Sequence, residues 1–168
     1  MTEYYMPDIP RLYTALAEWM ACLIFILPLK KRFSPAATGC LVAGAFGIQS
    51  VFLISTGGVR LIFWIPCMIF AVFLMVGFVF CSCEIRLTDA AYFGMIAFVA
   101  AEFMASAGWQ LLCYTGKEVW MSWWQQGMAI LLIYGVIAVI LYKILHVHLP
   151  KDGQMEITRR EYFSGLLI

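Results

Sequence analysis

The sequence predicts an all-α protein, a polytopic bundle of transmembrane helices that forms one membrane domain over residues 1–168. Hydrophobic residues make up 64% of the chain and charged residues 12%, whereas soluble domains average roughly half and a quarter. The hydrophobic residues are gathered into runs close to the ~20 residues that a helix needs to cross a bilayer. None of these runs alternates polar and apolar residues as a barrel strand does, so each is predicted to be a helix.

Five complete apolar runs and the start of a sixth divide the chain. The predicted spans are residues 12–29, 36–55, 61–83, 90–114 and 128–145. They are separated by KKRFSP, TGGVR, EIRLTD and KEVWMSWWQQG, which carry the turn-forming and charged residues that end helices. An incomplete span begins at residue 163 with FSGLLI, which is too short for a crossing. We therefore expect the chain to be a fragment of a longer protein.

Small residues predict which helices lie inside the bundle, because they permit close approach of two backbones. The second span has them at four-residue steps: Gly39, Ala43 and Gly47. The fourth span has a similar stripe: Ala101, Ala105 and Gly108. The second and fourth helices are therefore expected in the interior. The third span is rich in phenylalanine and the fifth in isoleucine and valine, and both are expected to face lipid.

Two acids lie within predicted spans, Glu18 in the first and Glu102 in the fourth. An ionised carboxylate buried in a membrane costs several kcal/mol, so each acid must be protonated, hydrogen-bonded or in contact with water. Glu102 fits either a structural hydrogen bond between helices or a site that responds to a ligand or a proton. Residues on its helical face, together with Gln49 of the second span, complete the set of candidate ligand-sensing or helix-interface residues. This set is Glu18, Gln49, Glu102, Ser106, Trp109 and Gln110.

The distribution of basic residues predicts the orientation. Eight of the eleven lysines and arginines lie after the first, third and fifth spans or, in the case of Lys143, at the end of the fifth. Because basic residues favour the cytoplasmic side, the N-terminus is predicted outside and residues 30–32 inside. Trp120, Trp123 and Trp124 then fall at the outer headgroup region, which suits indole rings, and Trp109 fits either such an anchor or a contact to an extracellular ligand.

No motif for catalysis or metal binding is recognisable in the sequence. A glycine-rich phosphate loop, an H-E-x-x-H pair and a nucleophile elbow are all missing. His146 and His148 form a lone H-x-H pair without the further ligands that a metal needs. Cys81 and Cys83 lie at a membrane edge, where unmodified packing and acceptance of a lipid chain are both open. A net charge of +1 indicates no nucleic-acid partner.

Several stretches of the sequence are similar to one known family of membrane regions. They are YYMPDIPRLYTALAEWMACLIFILPLKKRF, the TGG turn before the third span, FWIPCM, the A-E-F-x-A-S-x-x-W-Q-L block and HLPKDGQMEITRREYFSGLL. Together they resemble the N-terminal membrane region of GHKL-type sensor histidine kinases of Gram-positive bacteria, and the resemblance covers essentially all 168 residues. It implies the signal-sensing input region of a two-component system in the bacterial cytoplasmic membrane.

The resemblance also implies partners and further domains. The ligand would be an extracellular or membrane-partitioned molecule, such as a peptide or a small amphiphile. A dimerising helix with the phosphorylated histidine and a GHKL ATPase domain would follow in the cytoplasm, and ATP and Mg²⁺ would be cofactors of that domain alone. The whole kinase would be a homodimer that phosphorylates a response regulator. A ligand that prefers one packing of the helices would shift the population toward it and so change kinase activity.

Two other functions fit the same size and helix count. A small transporter subunit would share the buried polar face, although the incomplete sixth run counts against it. An accessory membrane protein would bind partners through its small-residue faces.

Overall fold

The computed structural model describes residues 8–58, 60–116 and 122–148, with side chains from residue 8 to residue 144 apart from residues 59, 61 and 116–121. This part of the chain forms five α-helices: α1 (Arg11–Ile26), α2 (Pro35–Ser55), α3 (Leu61–Ser82), α4 (Leu87–Gly116) and α5 (Trp123–His148). No strand occurs among these residues apart from an isolated bridge between Lys31 and Cys83. The all-α prediction is confirmed. Trp120, the side chains of His146 and His148, and the run from residue 163 lie outside the description.

Four helices, α2 to α5, are long and apolar enough to span a membrane. The first helix differs from its predicted span, since α1 has 16 residues and a length of ~24 Å, shorter than a hydrocarbon core of ~30 Å. It ends at Ile26 rather than at residue 29 because Pro28 cannot donate a helical hydrogen bond. Five complete crossings therefore remain a prediction, as does the outside N-terminus.

The last helix begins five residues earlier than predicted. Its first residue is Trp123 rather than residue 128, because the Ser122 backbone N–H donates to Gln125 Oε1 at 2.8 Å. Such a bond satisfies one of the orphan amides at a helix start. Trp123 and Trp124 are exposed there, with ring centroids 4.1 Å apart. The fourth helix is also longer than predicted, and begins at Leu87.

α1 occupies the centre of the bundle and contacts each of the other four helices. These four surround it in chain order, with contacts between α2 and α3, α3 and α4, and α4 and α5. Ala15, Ala17 and Ala21 of α1 are fully buried, so α1 has the small residues that close packing requires. The prediction of α2 as an interior helix is wrong, because its glycine and alanine stripe is exposed.

The small-residue stripe of α4 was predicted correctly. Ala101, Ala105 and Gly108 are all buried. A Cβ added to Gly108 would lie 2.4 Å from Tyr134 Cε1, so α4 and α5 approach each other where Gly108 has no side chain. As predicted, α3 and α5 leave many of their large apolar side chains exposed, Phe73 among them.

The loops after α1 and α3 are joined at one end of the bundle. The Glu84 backbone N–H donates to the Lys30 carbonyl at 2.9 Å, and the Arg32 N–H donates to the Ser82 carbonyl at 3.0 Å. Lys30 Nζ also lies 2.5 Å from the Glu84 carboxylate, and this hydrogen bond and charge hold the pKa of Glu84 below its ordinary value. The two basic loops therefore share a side, as the orientation argument requires.

Candidate ligand-binding crevice

Glu18 lies in the interior of the bundle and is paired with α2. Its side chain is 0% exposed, and Gln49, which is 6% exposed, donates a hydrogen bond from Nε2 to Glu18 Oε2. The other carboxylate oxygen, Oε1, has no hydrogen-bond partner among the described residues. Glu18 therefore retains an unused acceptor in the interior, where an unpaired polar atom destabilises a fold.

A crevice of about 380 Å³ lies between α2 and α3, with α1 at its inner end. This volume is within the range of roughly 300–1,000 Å³ that small-molecule sites occupy. Its lining is formed by Glu18, Trp19, Cys22, Leu41, Gly44, Ala45, Ile48, Gln49, Phe73, Leu74, Met75, Gly77, Phe78 and Cys81. Most of these side chains are apolar, so Glu18 and Gln49 supply the strongest hydrogen-bonding groups. An apolar space with a few polar groups is typical of a ligand site.

Two glycines keep the crevice open. Gly44 of α2 and Gly77 of α3 both line it, and a Cβ added to either would meet no atom within 4 Å. Nearer the turn between these helices the gap closes, since the Phe52 and Phe70 rings lie 4.9 Å apart. Ile48 is 61% exposed, so the mouth faces the outside of the bundle, where lipid chains lie around a membrane helix.

Trp19 forms a fixed wall beside Glu18. Its Nε1 donates to the Val42 carbonyl at 2.9 Å, and its ring lies 5.3 Å from the Phe46 ring. Both contacts are to α2, so the indole is held by the helix that also supplies Gln49. The crevice lining therefore includes a polar pair and an aromatic ring that are both held by contacts to α2.

The other predicted site residues lie on α4, away from the crevice lining. Glu102 is half-buried and interacts electrostatically with Glu18 and Arg11. Trp109 is half-buried, with its ring 6.1 Å from the ring of Tyr13. Ser106 and Gln110 are exposed. The roles predicted for these four α4 residues, in ligand sensing or at a helix interface, stay predictions.

The contribution of α3 to the crevice was not anticipated from the sequence. Phe73, Gly77 and Cys81 all line the crevice and recur at four-residue steps, which places them on one helical face. That spacing could have indicated a groove, since Gly77 interrupts an otherwise bulky helix. Without knowledge of the neighbouring helix, the same pattern is equally typical of a face exposed to lipid.

The chemistry of the site is that of hydrogen bonding and charge. Glu18 can hold a proton or accept a hydrogen bond from a ligand. No group of three or more His, Cys, Asp and Glu side chains that could hold a metal ion occurs in the described ranges. The chain matched no model of a known protein family, no curated protein and no solved structure.

Proposed function

We propose that this chain is the multi-pass, signal-sensing input region of a sensor histidine kinase in the bacterial cytoplasmic membrane, and that it binds an amphiphilic ligand between α2 and α3. The observation that carries the ligand-binding part is Glu18, which lines an apolar crevice and whose Oε1 atom has no hydrogen-bond partner among the described residues. Intramembrane ionisable residues are costly and commonly serve function. The kinase part is supported by the sequence resemblance.

The mechanism depends on the central position of α1. Among the five described helices, α1 is the one that contacts all four others. A ligand at Glu18 therefore acts on the helix that has the most neighbouring helices. A ligand that binds one arrangement of α1 and α2 more tightly shifts the population toward that arrangement. The size of the population shift, and so of the change in kinase activity, is limited by the difference between the ligand's affinities for the two arrangements.

The test uses the product of the whole coding region, reconstituted in liposomes and supplied with radiolabelled ATP and Mg²⁺. Acid-labile phosphorylation of a histidine is expected. Gly44→Leu fills the crevice and should change the phosphorylation rate severalfold, whereas Gly47→Leu should not. Gly47 is the matched control, because it lies on α2, has no atom within 4 Å of an added Cβ and does not line the crevice.

The outcomes separate the parts of the proposal. A product that never becomes phosphorylated rejects the kinase role and favours a transporter subunit or an accessory membrane protein. Phosphorylation that Gly44→Leu and Gly47→Leu leave equally unchanged rejects the crevice as the sensing site.

A further inference from the structure

We infer that the crevice selects an amphiphile whose head is a protonated primary amine, an inference that rests on the proposed ligand-binding role of the crevice. Gln49 already donates to Glu18 Oε2, and Oε1 has no hydrogen-bond partner among the residues that the structure describes. When Glu18 is ionised, the vacant hydrogen-bonding position is therefore an acceptor on a carboxylate. The head that completes it must donate a hydrogen bond, and a positive charge makes that bond stronger.

The charges around the inner end exclude an anionic head. The crevice lining contains no lysine, arginine or histidine, so a carboxylate or phosphate would meet Glu18 without a cation to pair with it. Glu102 is a second acid that interacts electrostatically with Glu18, and Arg11 interacts with both acids. Because Arg11 does not line the crevice, it does not offer an anion a binding partner there.

The remaining walls fit an ammonium head with an apolar tail. Trp19 lines the crevice beside Glu18, and indole rings attract cations. Beyond the polar pair, the lining from α2 and α3 is apolar and leads to the exposed mouth at Ile48. A tail longer than the crevice can therefore continue into the bilayer, and the ligand can enter from the membrane.

Protection of Cys81 from a lipid-soluble maleimide measures binding directly. Cys81 is exposed and lines the crevice, whereas Cys22 and Cys83 are buried. The full chain, with its other accessible cysteines replaced by serine, is placed in phosphatidylcholine nanodiscs. The probes are dodecylamine, dodecyltrimethylammonium and dodecanoate, which have the same tail. Dodecylamine should protect Cys81 with a Kd at least about tenfold lower than the other two, or ~1.4 kcal/mol.

Variants separate recognition of the head from occupation of the crevice. Glu18→Gln should raise the Kd of dodecylamine about tenfold, to that of dodecyltrimethylammonium, because it removes the charge but keeps the side-chain shape. Gly44→Leu should abolish protection by all three probes, and Gly47→Leu should leave it unchanged. An unaltered circular dichroism spectrum and an unaltered midpoint of unfolding in denaturing detergent show that each variant retains its fold.

Two results would overturn the inference: equal protection by dodecanoate and dodecylamine, or an amine preference that survives Glu18→Gln. Neither result contradicts the proposed signalling function, because this assay measures the labelling of Cys81 and needs no kinase domain. A loss of amine selectivity combined with phosphorylation that still responds to Gly44→Leu rejects only the amine head. Selective amine binding without a phosphorylation response rejects only the signalling role.

Discussion

Removing one partner of the Glu18–Gln49 pair should lower the free energy of unfolding, whereas replacing both partners should not. Gln49→Leu leaves a carboxyl that is 0% exposed without its donor, and an unsatisfied buried group costs about 1–3 kcal/mol, more when it is charged. Exchanging both partners for apolar residues of similar size is close to neutral. The double variant Glu18→Leu/Gln49→Leu is therefore expected to be at least as stable as the natural chain, and more stable than Gln49→Leu by about 1–3 kcal/mol.

The free energy of unfolding, measured by titration with a denaturing detergent in mixed micelles, tests this expectation. Ser50→Ala is the matched control, because Ser50 is the next residue of α2, is 8% exposed and has a buried hydroxyl without a partner among the described residues. Removing that hydroxyl should leave stability equal or higher. A double variant as unstable as Gln49→Leu would refute the reasoning, since the pair would then contribute stability that apolar packing cannot replace.

Three further predictions concern the packing and the joined loops. Gly108→Ala should lower the free energy of unfolding by about 1–3 kcal/mol because its Cβ would overlap Tyr134, whereas Gly135→Ala, which meets no atom, should raise it by roughly 0.5–1 kcal/mol. Equal losses in both would contradict the α4–α5 contact. Lys30 holds the pKa of Glu84 below its ordinary value of 4.5, so the ion pair should stabilise the loops above that pH and fail as the pH falls below it. If the melting temperature of Glu84→Gln fell with acid as much as that of the natural chain, the ion pair would not be the cause of the acid dependence. Single cysteines placed at residues 30 and 86 should react with an impermeant maleimide from the same side of sealed vesicles, and labelling from opposite sides would contradict the loop pairing.

Helix positions could be predicted from the sequence because apolar runs and loop signals are local. The predicted spans 36–55 and 61–83 agree with α2 and α3 within one residue at each end. The early start of α5 was missed although the S-x-x-Q pattern from Ser122 to Gln125 is a recognisable start signal. Local sequence signals thus explain why the bounds of α2 and α3 were predicted, and they also contain the information needed to place the start of α5.

The interior of the bundle could not be predicted, because it depends on which helix the others surround. The glycines and alanines of α2 have the spacing of an interior stripe, yet they are exposed, while α1 is buried despite its acid. Glu18 is tolerated there because Gln49 reaches it. Counting residues from the intervening loop places Gln49 about 9 Å farther along its helix than Glu18. Only the offset between α1 and α2 brings the two side chains together.

The candidate residues named from the sequence consequently divide into two groups, and the acids of the two groups interact electrostatically. Glu18 and Gln49 belong to the crevice, whereas Glu102 stands on α4 outside its lining. Arg11 interacts electrostatically with both acids. A cationic head bound at Glu18 would add a positive charge near both acids. It would therefore change the electrostatic interactions that Glu102 makes with Glu18 and Arg11. Since α1 packs against α4, a change at the crevice can therefore reach α4 without direct contact between the ligand and that helix.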